Sequence, residues 1–103
     1  MARPSVLEMD QIVAAMTKLH PDWDVASGAL HREIAFADFN EAFAFMTEIA
    51  QVAEQLDHHP EWCNVYNRVV IDLVTHDPRG ITQLDLDLAI AVDVASDRYQ
   101  ASS

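Results

Sequence analysis

The sequence predicts an α+β fold: one domain in the order αββαββα, with four strands in a single antiparallel sheet and helices packed on one face. Three observations lead there. Residues 38–56 carry apolar side chains at helical spacing, two stretches alternate with period two around a turn dipeptide, and a capping box opens a final helix at Thr82. At 103 residues the chain has room for one modest hydrophobic core. The domain is therefore taken as 1–103, with residues 1–5 and 99–103 expected to fray.

In chain order, the stretch from Val6 to Leu19 has apolar residues at Ile12, Met16 and Leu19 and no internal Gly or Pro, so it reads as a short amphipathic helix stopped by Pro21. Two strand-like runs follow, Trp23 to Val25 and Ala29 to Phe36, with Ser27-Gly28 as the turn. Leu30, Ile34 and Phe36 share one face of the second run, and Arg32 on that face is expected near a sheet edge. Asp38 with Glu41 three residues later starts the central helix. Its expected core stripe is Phe39, Ala42, Phe43, Met46, Ile49, Ala50 and Ala53. Phe45, Val52 and Leu56 flank that stripe and widen the apolar arc beyond the roughly 100° that packing on a core requires. Such a surplus favours a partner subunit; deep packing within a monomer is the alternative.

The next run, "EWCNVYNRVVIDLVTH", is rich in aromatic and β-branched residues and reads as a second hairpin turning at Asn67-Arg68. Val69, Ile71, Leu73 and Thr75 face one way, and Val70, Asp72, Val74 and His76 the other. "DPRG" is a loop. Thr82 with Asp85 then caps the last helix, Ile81 and Leu86 form a hydrophobic staple, and Leu84, Leu88, Ala91, Val92 and Ala95 supply its buried stripe.

Composition excludes several classes of function. Half of the residues are apolar and only two are Gly and four Pro, which points to a globular chain. Seventeen acidic residues against six basic ones give a net charge of −11, which repels nucleic acid and anionic membranes. No apolar run approaches the roughly 20 residues of a membrane span, and no signal-peptide pattern opens the chain. A single cysteine, Cys63, cannot form an internal disulfide. A cytoplasmic location is the expectation.

The chemistry concentrates at "LDHHPEW", residues 56–62. Pro60 biases His59 toward an extended conformation, so the rings of His58 and His59 point apart and take different roles. One of them is placed to share a cleft with His76 at the strand end. Imidazoles exchange protons near neutrality, so two of them on one substrate can serve as acid and base. A helix-capping His58 with His59 packed by Trp62 explains the same residues without chemistry. Zinc held by the three histidines with Asp57 or Asp77 is a third reading, weakened because adjacent histidines do not readily share one metal and no Cys pair or HExxH helix is present. His20 and His31 read as surface residues, and Asp85, a candidate neighbour of the site, is accounted for by its capping role.

From about Trp23 to Asp93, including "LHREIAF" and "DFNEAFAFMTEIAQVAEQLDHHPEW", the chain closely resembles the pterin-4a-carbinolamine dehydratase family. The shared pattern is a helix ending in His-His-Pro, a Tyr in the next strand, a Thr-His followed by a Gly-containing loop, and a Thr-x-x-Asp helix start. The resemblance implies dimers or tetramers and dehydration of 4a-hydroxytetrahydropterin to quinonoid dihydropterin, the tetrahydrobiopterin recycling step that follows aromatic amino-acid hydroxylation. That implies a functional link to an aromatic amino-acid hydroxylase, with no metal or organic cofactor. His58, His59 and His76 carry over as active-site histidines, with His58 and His76 expected in proton transfer and His59 in positioning. Asp57, Thr75 and Asp77 are expected along the polar edge of the pterin, Pro60 and Trp62 as an apolar wall, and Glu54 as a further contact. The loop Asp77-Pro78-Arg79-Gly80 departs from the smaller residues of many relatives, which makes Arg79 a candidate to touch substrate or a neighbouring subunit. A different class also follows from the family: a non-catalytic binding module, a dimerisation cofactor of a transcription factor, using Phe45, Val52 and Leu56.

Overall fold

The structure is a computed structural model that describes residues 4–101. Helix α1 spans Met9–Met16, strands β1 and β2 span Asp24–Ala26 and Ala29–Ala35, and α2 spans Phe39–Leu56. Strands β3 and β4 follow over Glu61–Val65 and Arg68–Leu73, then a two-residue ladder of β5 (Thr75–His76) with β6 (Arg79–Gly80), and α3 over Gln83–Ala101. The four long strands form one antiparallel sheet in the order β1-β2-β4-β3. Helices α2 and α3 pack against each other and on β4. The predicted αββαββα architecture is the one observed. No helix among the described residues is long and apolar enough to cross a membrane.

Leu30 and Ile34 of β2 and Val69, Ile71 and Leu73 of β4 are buried beneath the helices, while Glu33, Ala35, Cys63 and Val65 are exposed on the opposite face. Ser27 and Gly28, both at positive φ (53° and 77°), make the first hairpin turn, the geometry that matches the right-handed twist of the flanking strands. The second turn falls one residue earlier than the sequence suggested. Arg68 already pairs with Val65, and Tyr66-Asn67 forms the turn, with the Asn64 side-chain amide donating to the carbonyls of Tyr66 and Arg68. Tyr66, expected within the strand, thus sits in the turn, exposed and at φ 51°.

Arg32 is not near an edge. Strand β2 is interior, and Arg32 is buried because α3 supplies a carboxylate: its Nη1 donates to Asp93 Oδ1 at 2.6 Å. Asp93 also accepts from Trp23 Nε1 (2.7 Å) and the His20 backbone N–H (2.9 Å), tying the first hairpin to α3. His20 and His31, expected on the surface, are both half-buried for related reasons: His31 contacts Asp72, its partner across β2 and β4, at 2.8 Å.

The α2 stripe is rotated from its expected phase. Ala42, Phe45, Ile49 and Ala53 are buried, with Met46, Val52 and Leu56 packed beside them, whereas Phe39, Phe43 and Ala50 are exposed. Phe36 at the end of β2 sets this phase, drawing in Phe45 with ring centroids 4.9 Å apart. Phe39 and Phe43 instead stack on each other at 5.5 Å on the outside. In α3, Leu88, Val92 and Ala95 are buried as expected, joined by Leu86 and Ala89, while Leu84 and Ala91 are only half-buried. The helix, expected to fray from residue 99, continues through Ala101, with Tyr99 edge-on to Phe36 at 5.8 Å. The remaining residues expected to fray at the two ends, 1–3 and 102–103, lie outside the described residues, and Pro4 and Ser5 form no regular element.

Candidate active site

Helix α2 is stopped by its own C-terminal geometry. Asp57 adopts the left-handed conformation (φ 50°, ψ 44°), and the N–H groups of Asp57 and His58 bond back to Glu54 O (3.2 Å) and Ala53 O (3.0 Å). This satisfies carbonyls that a helix end otherwise leaves open and reverses the chain sharply. His58 is thereby turned inward to 9% exposure, and His59 outward. The two adjacent rings do diverge, as the proline-locked sequence implied.

His58 meets Asp85, which is fully buried at the start of α3, through an Nε2···Oδ1 contact of 2.5 Å. The other carboxylate oxygen, Oδ2, accepts from the Thr82 N–H and from the Thr75 hydroxyl, each at 2.9 Å. Thr75 and Thr82 hydroxyls lie 2.8 Å apart. Since Thr75 spends its one proton on Asp85, Thr82 donates to Thr75 Oγ1, and its own oxygen accepts from the Leu84 N–H at 3.2 Å. Each donor in this chain therefore has an acceptor. A carboxylate only accepts, so the proton between His58 and Asp85 belongs to Nε2, which leaves Nδ1 outside that contact.

The other two histidines have carboxylates of their own. His59 Nε2 lies 2.5 Å from Glu54 Oε2, one turn back on α2, both side chains being well exposed. His76 Nε2 lies 3.5 Å from Glu61 Oε1, at the start of β3. The backbone links the three pairs: Thr75, which holds Asp85, precedes His76, and Glu61, which meets His76, follows His59-Pro60. Helix end, β3, β5 and the first turn of α3 thus converge on one region. Among the described residues, no group of three or more His, Cys, Asp or Glu is placed to hold a metal ion.

The remaining expected residues are distributed around this region. Asp57 is the exposed helix cap, and Asp77 is exposed in the turn before Pro78, with a cis bond between them. Pro60 is half-buried. Trp62 alternates with Glu61 and packs partly against the core, on the helix-covered side of β3. Thr75 is buried, with its hydroxyl in the Asp85 network. Arg79 reaches the first hairpin, its Nη2 lying 3.5 Å from Ser27 O. Two surface recesses lie elsewhere, one of about 390 Å³ between α1 and α3 and one of about 320 Å³ beside β2, and His58, His59 and His76 line neither.

Two carboxylates were given no part in the site by the sequence. Asp85 looked fully explained as a cap, but a carboxylate has two oxygens and the cap uses only Oδ2. Glu61 carried no signal beyond its position after His59-Pro60. Gly80 is held to its residue type by packing, because at φ 152° a Cβ there would sit 2.7 Å from Val6 Cγ1. The N-terminal segment crosses at that point, and Leu7 N–H donates to Ile81 O at 2.8 Å.

An αββαββα domain whose helix-end His-His pair and strand-end histidine each face a carboxylate defines the class of protein. Residues 5–95 match the sequence profile of the family described as pterin 4 alpha carbinolamine dehydratase. A protein of Burkholderia multivorans, provisionally named pterin-4-alpha-carbinolamine dehydratase, is 47% identical over 85 residues, 81% of this chain and 83% of that one. A protein of Solibacter usitatus with the same provisional name is 59% identical over 71 residues, 69% and 75% of the two chains. The crystal structure of a Brucella melitensis protein described as a transcriptional coactivator/pterin dehydratase superposes with a TM-score of 0.86 at 38% identity, covering 89% of this chain and 99% of that one. The chain belongs to the pterin 4 alpha carbinolamine dehydratase family.

Proposed function

We propose that this chain is a 4a-hydroxytetrahydropterin dehydratase that releases water to give quinonoid dihydropterin, in the recycling of tetrahydrobiopterin after aromatic amino-acid hydroxylation. The observation that carries this is the convergence of three histidines, each backed by its own carboxylate: His58–Asp85, His59–Glu54 and His76–Glu61. In the reaction the C4a–O bond breaks, the leaving hydroxyl takes up a proton, and the neighbouring ring nitrogen loses one as a C=N bond forms. The step is redox-neutral and needs two positioned proton carriers. His58, with Nε2 committed to Asp85, uses Nδ1 for one transfer, and His76 supplies the other. His59, steadied by Glu54, positions the pterin, with Asp57, Asp77, Pro60 and Trp62 around it. Asp85 acts through His58 as a positioning residue. Each proton transfer is worth about 10²- to 10⁴-fold.

Dimers or tetramers are part of this reading. The stacked pair Phe39 and Phe43, 44% and 54% exposed, is the apolar surface on α2 that a second copy would cover. Exposed Cys63 and the absence of any other cysteine suit a reducing cytoplasm. The test is the breakdown of synthetic 4a-hydroxytetrahydropterin above its spontaneous rate, where His76→Ala, at an exposed site, is expected to lower turnover about 10²-fold with the fold intact. Wild-type turnover in His76→Ala removes that histidine from the mechanism.

A binding role has a specific observation behind it as well, the coactivator description of the Brucella neighbour. Its surface here is not the one expected. Phe45 is fully buried and Val52 and Leu56 are half-buried, so a dimerisation cofactor of a transcription factor would have to use Phe39 and Phe43.

A further inference from the structure

The sheet carries another histidine, His31, on its open face. The antiparallel registers line up one residue from each long strand there: Asp24 of β1 opposite His31 of β2, His31 opposite Asp72 of β4, and Asp72 opposite Glu61 of β3. Directly opposed residues of antiparallel strands point to the same side of the sheet, and successive residues to opposite sides. The next row, Arg32, Ile71 and Trp62, turns toward the helices, so the ionisable row turns away from them. Its last member belongs to the site already described: Glu61 Oε1 is the oxygen 3.5 Å from His76 Nε2.

The row sets two carboxylates against each other. Like charges directly opposite on neighbouring strands are unfavourable, and Asp72 and Glu61 are such a pair, with no residue between them. Each has a histidine on its outer flank: His31 Nδ1 lies 2.8 Å from Asp72 Oδ1, and His76 beside Glu61. The hydrogen bond to Asp72 favours the charged form of His31 and holds its pKa above 6.5, against a smaller effect of burial. A cation at His31 offsets the charge of Asp72; once His31 is neutral, that charge bears on Glu61 and through it on His76. The other charged groups flank the row. Asp24 and Glu33 (3.7 Å) also face His31, Glu33 is shared with Arg68 at 3.2 Å, and Arg79 lies opposite His76 in the β5–β6 ladder. We infer that His31 and Asp72 extend the histidine–carboxylate site as positioning residues, the charge on His31 governing, through Asp72 and Glu61, how firmly His76 is held. Their part in turnover rests on the dehydratase reading; the coupling along the row does not.

Two measurements on the full chain test it. In ¹⁵N–¹H NMR titrations of the histidine rings, Glu61→Gln removes the charge opposite Asp72 and should lower the His31 pKa by about 0.2–0.5, an effect that shrinks in about 1 M salt. A His31 titration unchanged by Glu61→Gln would overturn the inference, whether or not the protein is a dehydratase. In the decay assay with 4a-hydroxytetrahydropterin, kcat of His31→Gln should depart from wild type by about two- to threefold at pH values below the His31 pKa. Above it the two profiles should converge, since glutamine stands in for the neutral ring. Coincident profiles, or a difference of the same size at every pH as a purely structural defect gives, would also overturn the inference. No acceleration by folded wild-type protein would overturn the dehydratase reading instead, and the His31 titration would then decide the coupling alone.

Discussion

Replacing Asp85 by Asn tests the arrangement of the site at its most buried point. The amide has nearly the shape of the carboxylate, so the perturbation is a charge and the identity of one atom. Its oxygen can keep the position of Oδ2, accepting from the Thr82 N–H and the Thr75 hydroxyl, both 2.9 Å away. The NH₂ group then faces His58 where Oδ1 now stands, 2.5 Å from Nε2. A donor there turns Nε2 into the acceptor and moves the ring proton to Nδ1, the atom proposed to carry the proton transfer. Three bonds to an ionised group become neutral ones, each losing about half of its roughly 1.5–3 kcal/mol. Easier desolvation of the amide offsets part of that loss, leaving a net destabilisation of about 1–2 kcal/mol, or roughly 10 °C in Tm. Turnover should fall about 10²-fold or more, because the ring is held in the wrong tautomer. The assay pairs the breakdown of 4a-hydroxytetrahydropterin with long-range ¹⁵N–¹H spectra of His58, which read the tautomer directly. A variant that keeps wild-type turnover, or loses it with the proton still on Nε2, would refute the positioning role of Asp85.

Three other perturbations follow from the packing. Phe45→Ala should cost about 3–5 kcal/mol, whereas Phe43→Glu should change monomer stability by no more than about 0.5 kcal/mol and lower the assembled mass in light scattering. Equal costs in denaturant melts would contradict the observed phase of α2. Gly80→Ala should destabilise by about 1–3 kcal/mol, since it adds a Cβ against Val6 at positive φ, and a thermal melt unchanged from wild type would show that this contact does not constrain the residue. The hydrogen bond to Asp72, aided by Glu33, raises the His31 pKa above 6.5, against a smaller opposing effect of burial. The protonated ring is thus favoured in the folded state. Its contribution is complete below the unfolded value near 6.5 and is lost as pH rises through the folded one. The pair is partly exposed, so the amount is about 0.2–1 kcal/mol, and His31→Gln should remove that part of the pH dependence of urea midpoints.

How much of this was legible in the sequence depends on whether the information was local. Hairpins, caps and element order follow from spacing and turn chemistry, and they stand where expected within a residue or two. The phase of α2 does not: its apolar arc is wide enough to be buried in two ways, and Phe36, a residue from another element, decides for Phe45 over Phe43. Arg32 misled for the same reason. A cation on a core-facing strand position reads as an edge until Asp93, sixty-one residues away, supplies its partner. In the site, His58, His59 and His76 were visible because proline and a strand end mark them. The carboxylates that orient two of them were not, since Asp85 had a complete local explanation and Glu61 meets His76 only through the pairing of distant segments.

The central claim is that the histidine–carboxylate cluster accelerates loss of water from a 4a-hydroxytetrahydropterin. It is tested most directly by following the decay of that compound with and without the wild-type protein, alongside a His58→Ala variant. Decay should run well above the spontaneous rate with wild type, and that acceleration should fall about 10²-fold or more with His58→Ala. Decay at the spontaneous rate with folded wild-type protein would contradict the claim.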